Sequence, residues 1–431
     1  MVRKIINSSL SLLALILPGI PSHAQEKAFP AFDQVDLIVA QDVTRFSKLF
    51  AEGRERVVRL ALLGDSQETA PGGGGRVYMP RLNYELAKFF GNAPETLIEP
   101  VASTQYAWLM ASAVLKGEEV TLGNKGLPGI RCVSVPSSGY TYLMMLQPEG
   151  AGLLPGTLVD GEKALFHTDG VVKAAVFALA ENSNGLKYEA QPKDEMVPGY
   201  FSPTTSAGML DLKSADKAPS ILTAETGALD FGGKKYQQLR LSCSGEGKET
   251  SILGVRFFNE SHAYGVVVND FSAGGYRLNN LLLSHSDAGE MYRAFGFDAA
   301  ILHLGANDSG GVSAVDFKKQ TEEVIAMLRK WMGDPEYRII LMGDPDFKEH
   351  APGGPKRIEF DQYTGAQAAI AKSDPNVLVV NTRRIADEQL DWRWGDKKLD
   401  GYLADTVHYS TEGGRLLAGA EMKVLLGILG K

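Results

Sequence analysis

The sequence has few of the residues that would mark a metalloprotein, a nucleic-acid-binding protein or a membrane protein. Only seven of its 431 residues are histidine and two are cysteine, and they form no H-x-x-x-H or Cys–His ligand spacing. Its 44 Lys and Arg are outnumbered by 52 Asp and Glu, which gives a formal net charge of -8 without any basic run. We therefore expect no metal, no cofactor, and neither nucleic acid nor an anionic membrane as a partner.

Long hydrophobic runs are also scarce, and the run near the start of the chain is short. Leu10–Leu17 is apolar, whereas a helix that spans a bilayer needs about 20 residues. Arg3 and Lys4 precede this run, and Ser22–Ala24 follows it as an A-x-A-like cleavage site. Residues 1–24 are therefore predicted to be a signal peptide of a secreted or periplasmic protein, with an N-terminal membrane anchor as the alternative. No later run predicts a stable membrane span.

The two cysteines fall in strand-like segments in the middle of the chain. Cys132 lies within residues 129–135, and Cys243 lies within residues 237–244. In an exported chain an even cysteine count permits a disulfide, and the alternative is two buried thiols. We predict a Cys132–Cys243 disulfide that ties the two ends of the middle region together.

The most informative stretch of the chain is Ala61–Gln67. An apolar run rich in β-branched residues ends abruptly there in Gly-Asp-Ser-Gln, which is typical of a buried strand of a parallel sheet. A serine just past the carboxyl end of such a strand, here Ser66, stands where ligands bind in open α/β sheets. Taken alone, the stretch is explained more simply as a strand followed by a polar turn.

Helices and strands alternate at both ends of the chain. Predicted helices at Asp42–Phe50 and Pro80–Phe90 flank the strand before Ser66. After residue 263 the pattern predicts strands at Tyr264–Asn269, Phe297–Leu304, Tyr337–Met342 and Val377–Asn381, and helices at Asp316–Met332 and from Thr411 onward. This alternation predicts an α/β fold with a three-layer, doubly wound parallel sheet.

The middle of the chain has a different pattern. Short β-like runs, such as Val171–Ala180 and Gln237–Ser242, are separated by Gly, Pro, Asn and Ser, as in a β-sandwich or barrel. We therefore divide the mature chain into a first part (25–92), an inserted β-rich module (93–260) and a second part (261–431). The aromatic side chains of the module either stack on sugar rings or pack in its core and edges: Tyr140, Tyr142, Tyr188, Tyr200, Phe201 and Tyr236.

Three polar motifs stand at the ends of predicted strands or just before the last helix. They are Gly64-Asp65-Ser66, Gly305-x-Asn307-Asp308 and Asp405-x-x-His408. A serine hydroxyl is a weak nucleophile until a base removes its proton, and His408 can be that base. Asp405 can hold the imidazole and stabilise its cation. The set predicts a serine hydrolase-type site.

Attack on a carbonyl creates an oxyanion, which needs preorganised hydrogen-bond donors. The candidate donors are the backbone N–H of Ser66, the backbone N–H of Gly274 or Gly275, and the side-chain amide of Asn307. They come from three different predicted strand ends. We therefore predict an oxyanion hole built from these groups.

These motifs together resemble those of the SGNH (GDSL-like) hydrolase family, whose four blocks carry Ser, Gly, Asn and His. Ser66 matches the nucleophile, Asn307 the third block, and His408 with Asp405 the last block. Aligning Asn269-x-Phe271-x-x-Gly274 with the second block favours Gly274 as the oxyanion glycine, although Phe271 stands where a glycine is common. The resemblance covers about residues 40–92 and 263–431, and it implies a flavodoxin-like fold and an acyl-enzyme on Ser66.

A β-rich insertion after the serine block of an exported protein is also similar to the arrangement in bacterial peptidoglycan O-acetylesterases. That similarity implies a carbohydrate-binding-like module and an acetylated carbohydrate, or another ester, as the substrate. The function expected is carbohydrate O-acetylesterase. The alternatives are a polysaccharide O-acetyltransferase that uses the same acyl-enzyme, and a non-catalytic carbohydrate-binding protein on the same scaffold.

Overall fold

The computed structural model describes the following residues: 28–69, 75–91, 95–98, 133–135, 142–146, 171–179, 186–193, 206–210, 212, 221–229, 236–243, 250–261, 264–283, 288–350 and 355–429. The strands, in chain order, are β1 (Ile38–Ala40), β2 (Val57–Gly64), β3 (Glu95–Ile98), β4 (Val133–Val135), β5 (Tyr142–Leu146), β6 (Val172–Leu179), β7 (Leu186–Lys193), β8 (Ser206–Leu210), β9 (Ile221–Glu225), β10 (Tyr236–Cys243), β11 (Thr250–Asn259), β12 (Gly265–Asp270), β13 (Ala299–His303), β14 (Arg338–Met342) and β15 (Val377–Val380). The helices are α1 (Val43–Glu52), α2 (Ser66–Thr69), α3 (Gly75–Phe90), α4 (Leu278–Leu282), α5 (Ala288–Phe295), α6 (Ala314–Met332), α7 (Pro355–Ser373), α8 (Thr382–Leu390), α9 (Leu399–Tyr402) and α10 (Thr411–Leu429).

A six-stranded sheet with the order β1-β15-β14-β13-β2-β12 forms the centre of the fold. The four pairings that join β12, β2, β13, β14 and β15 are parallel, and β1 joins the edge antiparallel to β15. Strands β13 and β15 are buried along their whole length, which is why they read as continuous apolar runs. The parallel sheet predicted from the sequence is confirmed, and the three-residue antiparallel edge β1 is an addition to it.

Helices cover both faces of this sheet. Helices α1, α3, α8 and α10 contact one another in one layer, and α4–α7 contact one another in a second layer. Helix α6 shows why these segments are helical: the Ser313 hydroxyl caps its start by accepting the Asp316 N–H (3.1 Å), and Gly333, with φ +67, ends it. The predicted three-layer architecture is therefore confirmed. Among the described residues, no helix is both long enough and apolar enough to cross a bilayer.

A β-sandwich lies between α3 and β12 in the chain. One antiparallel sheet has the order β5-β10-β7-β8, and the other has the order β3-β11-β6-β9, with β4 also paired to β11. In β6, Ala174 and Val176 face the core between the two sheets. The alternate residues Ala175 and Phe177 pack on the α/β part, where the Phe177 ring lies 4.8 Å from that of Phe295. Both faces of this strand are thus buried.

The described residues test few of the predictions made for the β-rich region. Tyr188 is only 6% exposed, and its hydroxyl accepts the Gly227 N–H at 2.8 Å, so this tyrosine packs in the core and is not a sugar platform. The other aromatic side chains named above lie outside the described side chains. Cys132 lies outside the described residues, so its pairing with Cys243 stays a prediction, as do the signal peptide and the segment boundaries.

Candidate active site

The predicted nucleophile lies at the carboxyl end of the central strand β2. This strand ends at Gly64, and Ser66 is the first residue of the short helix α2. The Asp65 carboxylate accepts the backbone N–H of Gln67 at 2.9 Å, which closes the turn between strand and helix. The structure therefore places Ser66 at the sheet edge where ligands bind in open α/β folds.

Gly64 is required by the close packing of this turn. A Cβ at this position would lie 2.7 Å from the Ser272 hydroxyl oxygen and would overlap the Glu68 carboxylate. That carboxylate accepts the Asp65 N–H at 2.9 Å through Oε2. Glycine at position 64 thus allows a buried acid to hold the backbone directly before the serine.

The Asp405–His408 segment forms a compact loop. A β-bridge between Leu403 and Tyr409 closes it, and Asp405 Oδ1 accepts the backbone N–H groups of Val407 (2.8 Å) and His408 (2.7 Å). The second oxygen, Oδ2, lies 2.7 Å from His408 Nδ1. Burial acts to raise the pKa of Asp405, but the hydrogen bonds from the imidazole and the two N–H groups prevail and lower it to about 2.

The structure brings the three predicted catalytic side chains together. His408 Nε2 lies 3.0 Å from Ser66 Oγ, so Asp405, His408 and Ser66 form one continuous hydrogen-bonded chain. The Asp405 and His408 side chains are 55% and 30% exposed, which leaves the site open to a bulky substrate. An aspartate that stays ionised holds Nδ1–H as the donor and leaves Nε2 to accept the serine proton.

The loop after β12 runs beside the nucleophile turn. The Phe271 N–H donates to Leu62 O (2.8 Å) and the Ala273 N–H donates to Gly64 O (3.2 Å), which extends the parallel pairing past the end of β12. Gly274 and Gly275 follow directly and are exposed. Both predicted glycines therefore reach this edge of the sheet, and which of them donates to an oxyanion stays a prediction.

Asn307 connects the nucleophile turn to this glycine loop. Its side-chain Nδ2 donates to Asp65 Oδ2 at 2.8 Å and to Tyr276 O at 3.1 Å, so both amide hydrogens are in use. The sequence predicts this amide as an oxyanion donor but gives no sign of either partner. To serve an oxyanion, Asn307 would exchange the Tyr276 carbonyl for the substrate oxygen while Asp65 keeps the amide in place.

Asn307→Ala should lower kcat for an aryl acetate by about 10²- to 10³-fold and leave KM nearly unchanged, the usual loss for one oxyanion donor. The variant also leaves the buried Asp65 carboxylate without one of its donors, so its melting temperature should fall. Steady-state kinetics and a thermal melt measure the two effects separately. A folded variant that keeps kcat within threefold of wild type would contradict the assignment.

A buried group of ionisable side chains lies directly behind the nucleophile turn. Glu68 Oε1 lies 2.5 Å from His303 Nδ1, and His303 Nε2 lies 3.0 Å from Gly343 O. Burial opposes a charged imidazole, but the carboxylates of Glu68 and Asp344 prevail and raise the pKa of His303 to about 10. His303 is therefore a core histidine held by Glu68 and Gly343, and the motifs of the sequence indicate neither contact.

Three carboxyl groups of this region resist ionisation. Burial, followed by repulsion from Asp344 and Glu68, raises the pKa of Asp65 well above its ordinary value. Burial likewise raises the pKa of Asp344 to about 6 and that of Glu421 to about 7. Glu421 receives hydrogen bonds from Tyr78 (2.6 Å) and from the Thr382 hydroxyl. These groups are structural, since all are fully enclosed behind the exposed triad.

The protein should become less stable to unfolding as the pH rises from about 5 to 9. Burial raises the pKa of Asp270 to about 6 and of Asp308 to about 7, against 3.8 for an unperturbed Asp. A raised folded-state pKa gives stability that is present below the unfolded value and is lost as the pH rises through the folded value. His303 acts in the same direction between 6.5 and about 10. Because one pKa unit is about 1.4 kcal/mol, the loss should be at least about 3 kcal/mol.

Urea unfolding at pH 5, 7 and 9 measures this change, with the m-value as a control for the surface exposed on unfolding. Asp405, whose lowered pKa affects stability only below about pH 4, does not contribute in this range. A free energy of unfolding that is constant or rises between pH 5 and 9 would contradict the prediction.

Comparison with solved structures identifies the class of fold to which this site belongs. A structure of a peptidoglycan O-acetylesterase superposes with a TM-score of 0.62 at 15% sequence identity, over 92% of this chain and 99% of that chain. The protein therefore has the fold of that O-acetylesterase, and the α/β fold expected from the sequence is confirmed.

Two further solved structures match with lower TM-scores. A family two carbohydrate esterase from Clostridium thermocellum, in complex with cellohexaose, has a TM-score of 0.29 at 12% identity, over 74% of this chain and 98% of that chain. A member of the lipolytic G-D-S-L family from Veillonella parvula has a TM-score of 0.29 at 16% identity, over 37% of this chain and 80% of that chain. A scan of protein-family models and a search of curated proteins gave no match to the sequence.

Within the part of the chain that the structure describes, no group of three or more His, Cys, Asp or Glu side chains is arranged to hold a metal ion.

Proposed function

We propose that the protein is a serine esterase that removes acetyl groups from a carbohydrate through an acyl-enzyme on Ser66. The observation that carries this proposal is the continuous chain of side chains at the open edge of the sheet. Asp405 Oδ2 lies 2.7 Å from His408 Nδ1, and His408 Nε2 lies 3.0 Å from Ser66 Oγ. This is the arrangement in which a histidine activates a serine hydroxyl.

The reaction proceeds in two halves. His408 Nε2 takes the proton of Ser66 Oγ while the oxygen attacks the acyl carbonyl, and Asp405 stabilises the imidazolium that forms. The tetrahedral intermediate collapses as His408 gives the proton to the departing sugar oxygen, which leaves an acetyl group on Ser66. Water then attacks this ester with the same base, and acetate leaves as Ser66 recovers its proton.

The choice of an acetylated carbohydrate rests on two observations. The fold matches that of a peptidoglycan O-acetylesterase over nearly the whole of both chains, including the region of the β-sandwich. The Asp405 and His408 side chains are also partly exposed, which suits an acyl group attached to a bulky polymer. We further propose that the chain acts outside the cytoplasm, since its N-terminal sequence has the pattern of a signal peptide.

Acetate release from O-acetylated peptidoglycan, acetylated xylan and acetylated chitin fragments tests the proposal. We expect Ser66-dependent release of free acetate from at least one of these polymers, and labelling of Ser66 by a fluorophosphonate probe. Acetylated sugar product formed from an added acyl donor, with no free acetate, would indicate an acetyltransferase instead. The absence of both labelling and turnover would indicate a non-catalytic protein.

A further inference from the structure

The residue after the nucleophile links the two halves of the active site. Gln67 is buried, with 1% of its surface exposed, and its side-chain Nε2 donates to the backbone carbonyl of Val407 at 3.2 Å. Its own backbone N–H donates to Asp65 Oδ1 at 2.9 Å. One end of Gln67 is therefore fixed in the nucleophile turn, and the other end holds the loop that carries the histidine.

The carbonyl that Gln67 holds belongs to Val407, whose position affects both Asp405 and His408. Val407 stands directly before His408, and its N–H donates to Asp405 Oδ1 at 2.8 Å. A shift of Val407 would therefore move both the base and the carboxylate that orients it. The bond between Gln67 and Val407 runs beside the bond between Ser66 Oγ and His408 Nε2 and joins the same two segments.

The polar end of Gln67 is also incompletely satisfied. Its Oε1 is buried and has no hydrogen-bond partner among the described residues. A buried acceptor without a partner costs free energy that an apolar side chain of similar size would not cost. The amide at this position is therefore explained by the bond that Nε2 makes, and not by packing.

We infer that Gln67 is a positioning residue that sets the distance between the catalytic base and the nucleophile. The inference rests on the proposed serine-esterase function and deepens it, because Gln67 is buried and its hydrogen bonds run to Asp65 and Val407 and not to the side chains of the nucleophile or the base. Reactions of this kind depend steeply on geometry, and a displacement of about 1 Å can cost on the order of 10²-fold in rate. The effect should therefore appear in kcat and not in KM.

Gln67→Met keeps the length of the side chain and removes the Nε2 donor together with the unpartnered Oε1. We expect kcat for an aryl acetate to fall by about 10- to 100-fold, with KM within about twofold of wild type. The matched control is Gln362→Met in α7, because Gln362 is 4% exposed and its Nε2 also donates to a backbone carbonyl, Ile358 O, at 3.2 Å. This control also loses the bond that Gln362 Oε1 accepts from the Phe29 N–H (3.1 Å), so it should lower the melting temperature by at least as much and leave kcat unchanged.

Hydrogen exchange distinguishes failure of this inference from failure of the proposed function. In Gln67→Met the Val407 and His408 amides should exchange faster than in wild type, whether or not the chain hydrolyses esters. Gln67→Leu, a second variant without the donor, should give the same kinetic and exchange changes. Unchanged exchange in this loop, or wild-type kcat in either folded variant, would overturn the positioning role. Ser66-independent hydrolysis with faster exchange would instead overturn the proposed function alone.

Discussion

Ser66→Ala should reduce hydrolysis of an aryl acetate by roughly 10⁴- to 10⁶-fold, the largest effect expected for any single substitution in this protein. In the proposed reaction the hydroxyl oxygen forms the bond to the acyl group, and it is the only serine oxygen bonded to the partly exposed His408 in the described part of the chain. The variant should also lose all labelling by a fluorophosphonate probe. Kinetics, probe labelling and a thermal melt on the same preparation measure the loss.

His408→Ala should be nearly as damaging, because nucleophile and base act as one unit and their losses do not add. Asp405→Asn should lower kcat less than either of these substitutions, since the aspartate orients and stabilises the base without transferring a proton. The matched control is Ser309→Ala, which breaks a second serine–histidine contact of the same length: Ser309 Oγ lies 3.0 Å from His350 Nε2. Both residues of that pair are buried, so kcat of this control should stay within about threefold of the wild-type value. Wild-type turnover in folded Ser66→Ala would overturn the nucleophile assignment and the esterase proposal with it.

The sequence predicts those parts of the site that lie close to a recognisable pattern. Ser66 and Asn307 follow buried strands whose apolar runs are visible in the sequence, and the parallel sheet brings their carboxyl ends to one edge. Asp405 and His408 are three residues apart on one loop, so their contact is local. The chain order and the placement of these residues were therefore accessible from periodicity and motif spacing.

The interactions that hold these residues in place were not accessible in this way. The bonds from Gln67 to Val407, from Asn307 to Tyr276 and from Glu68 to His303 each join segments that are distant in sequence. No periodicity encodes such pairs, because they depend on how helices and loops pack over the sheet edge. A glutamate in a four-residue helix and a histidine in a buried strand each look unremarkable alone.

The edge strand of the main sheet could not be predicted from the sequence either. Strand β1 is three residues long and its pairing with β15 is antiparallel, so neither its length nor its direction follows from the alternation of strands and helices. Two strands of the β-sandwich, in contrast, could be predicted from the sequence. Strands β6 and β10 are short apolar runs that Gly, Pro and Asn residues separate from their neighbours.

His303→Leu should destabilise the fold by about 3 to 5 kcal/mol, the usual cost of removing one member of a buried ion pair. The imidazole is the cation among three buried carboxyl groups: Glu68 lies 2.5 Å from Nδ1, Asp344 lies 3.5 Å from Nε2, and Asp65 is held by Glu68 through its N–H. Leucine would leave these buried acids to repel one another. Because Glu68 positions the backbone before Ser66, the variant should lose activity at temperatures where wild type is still folded.

Glu68→Gln, His303→Leu and the double variant form a mutant cycle that isolates the interaction. The summed losses of unfolding free energy in the two single variants should exceed the loss in the double variant by more than about 1 kcal/mol. Each single variant leaves one charged group buried without its partner, whereas the double variant removes both charges. The control pair is Lys318 and Glu322 on α6, which also lie 2.5 Å apart but are partly exposed, so Lys318→Met should cost less than about 0.5 kcal/mol. Urea unfolding at pH 7 measures all of these variants. Additive losses in the cycle, or a His303→Leu loss no larger than that of Lys318→Met, would show that the buried pair does not hold the nucleophile turn in place.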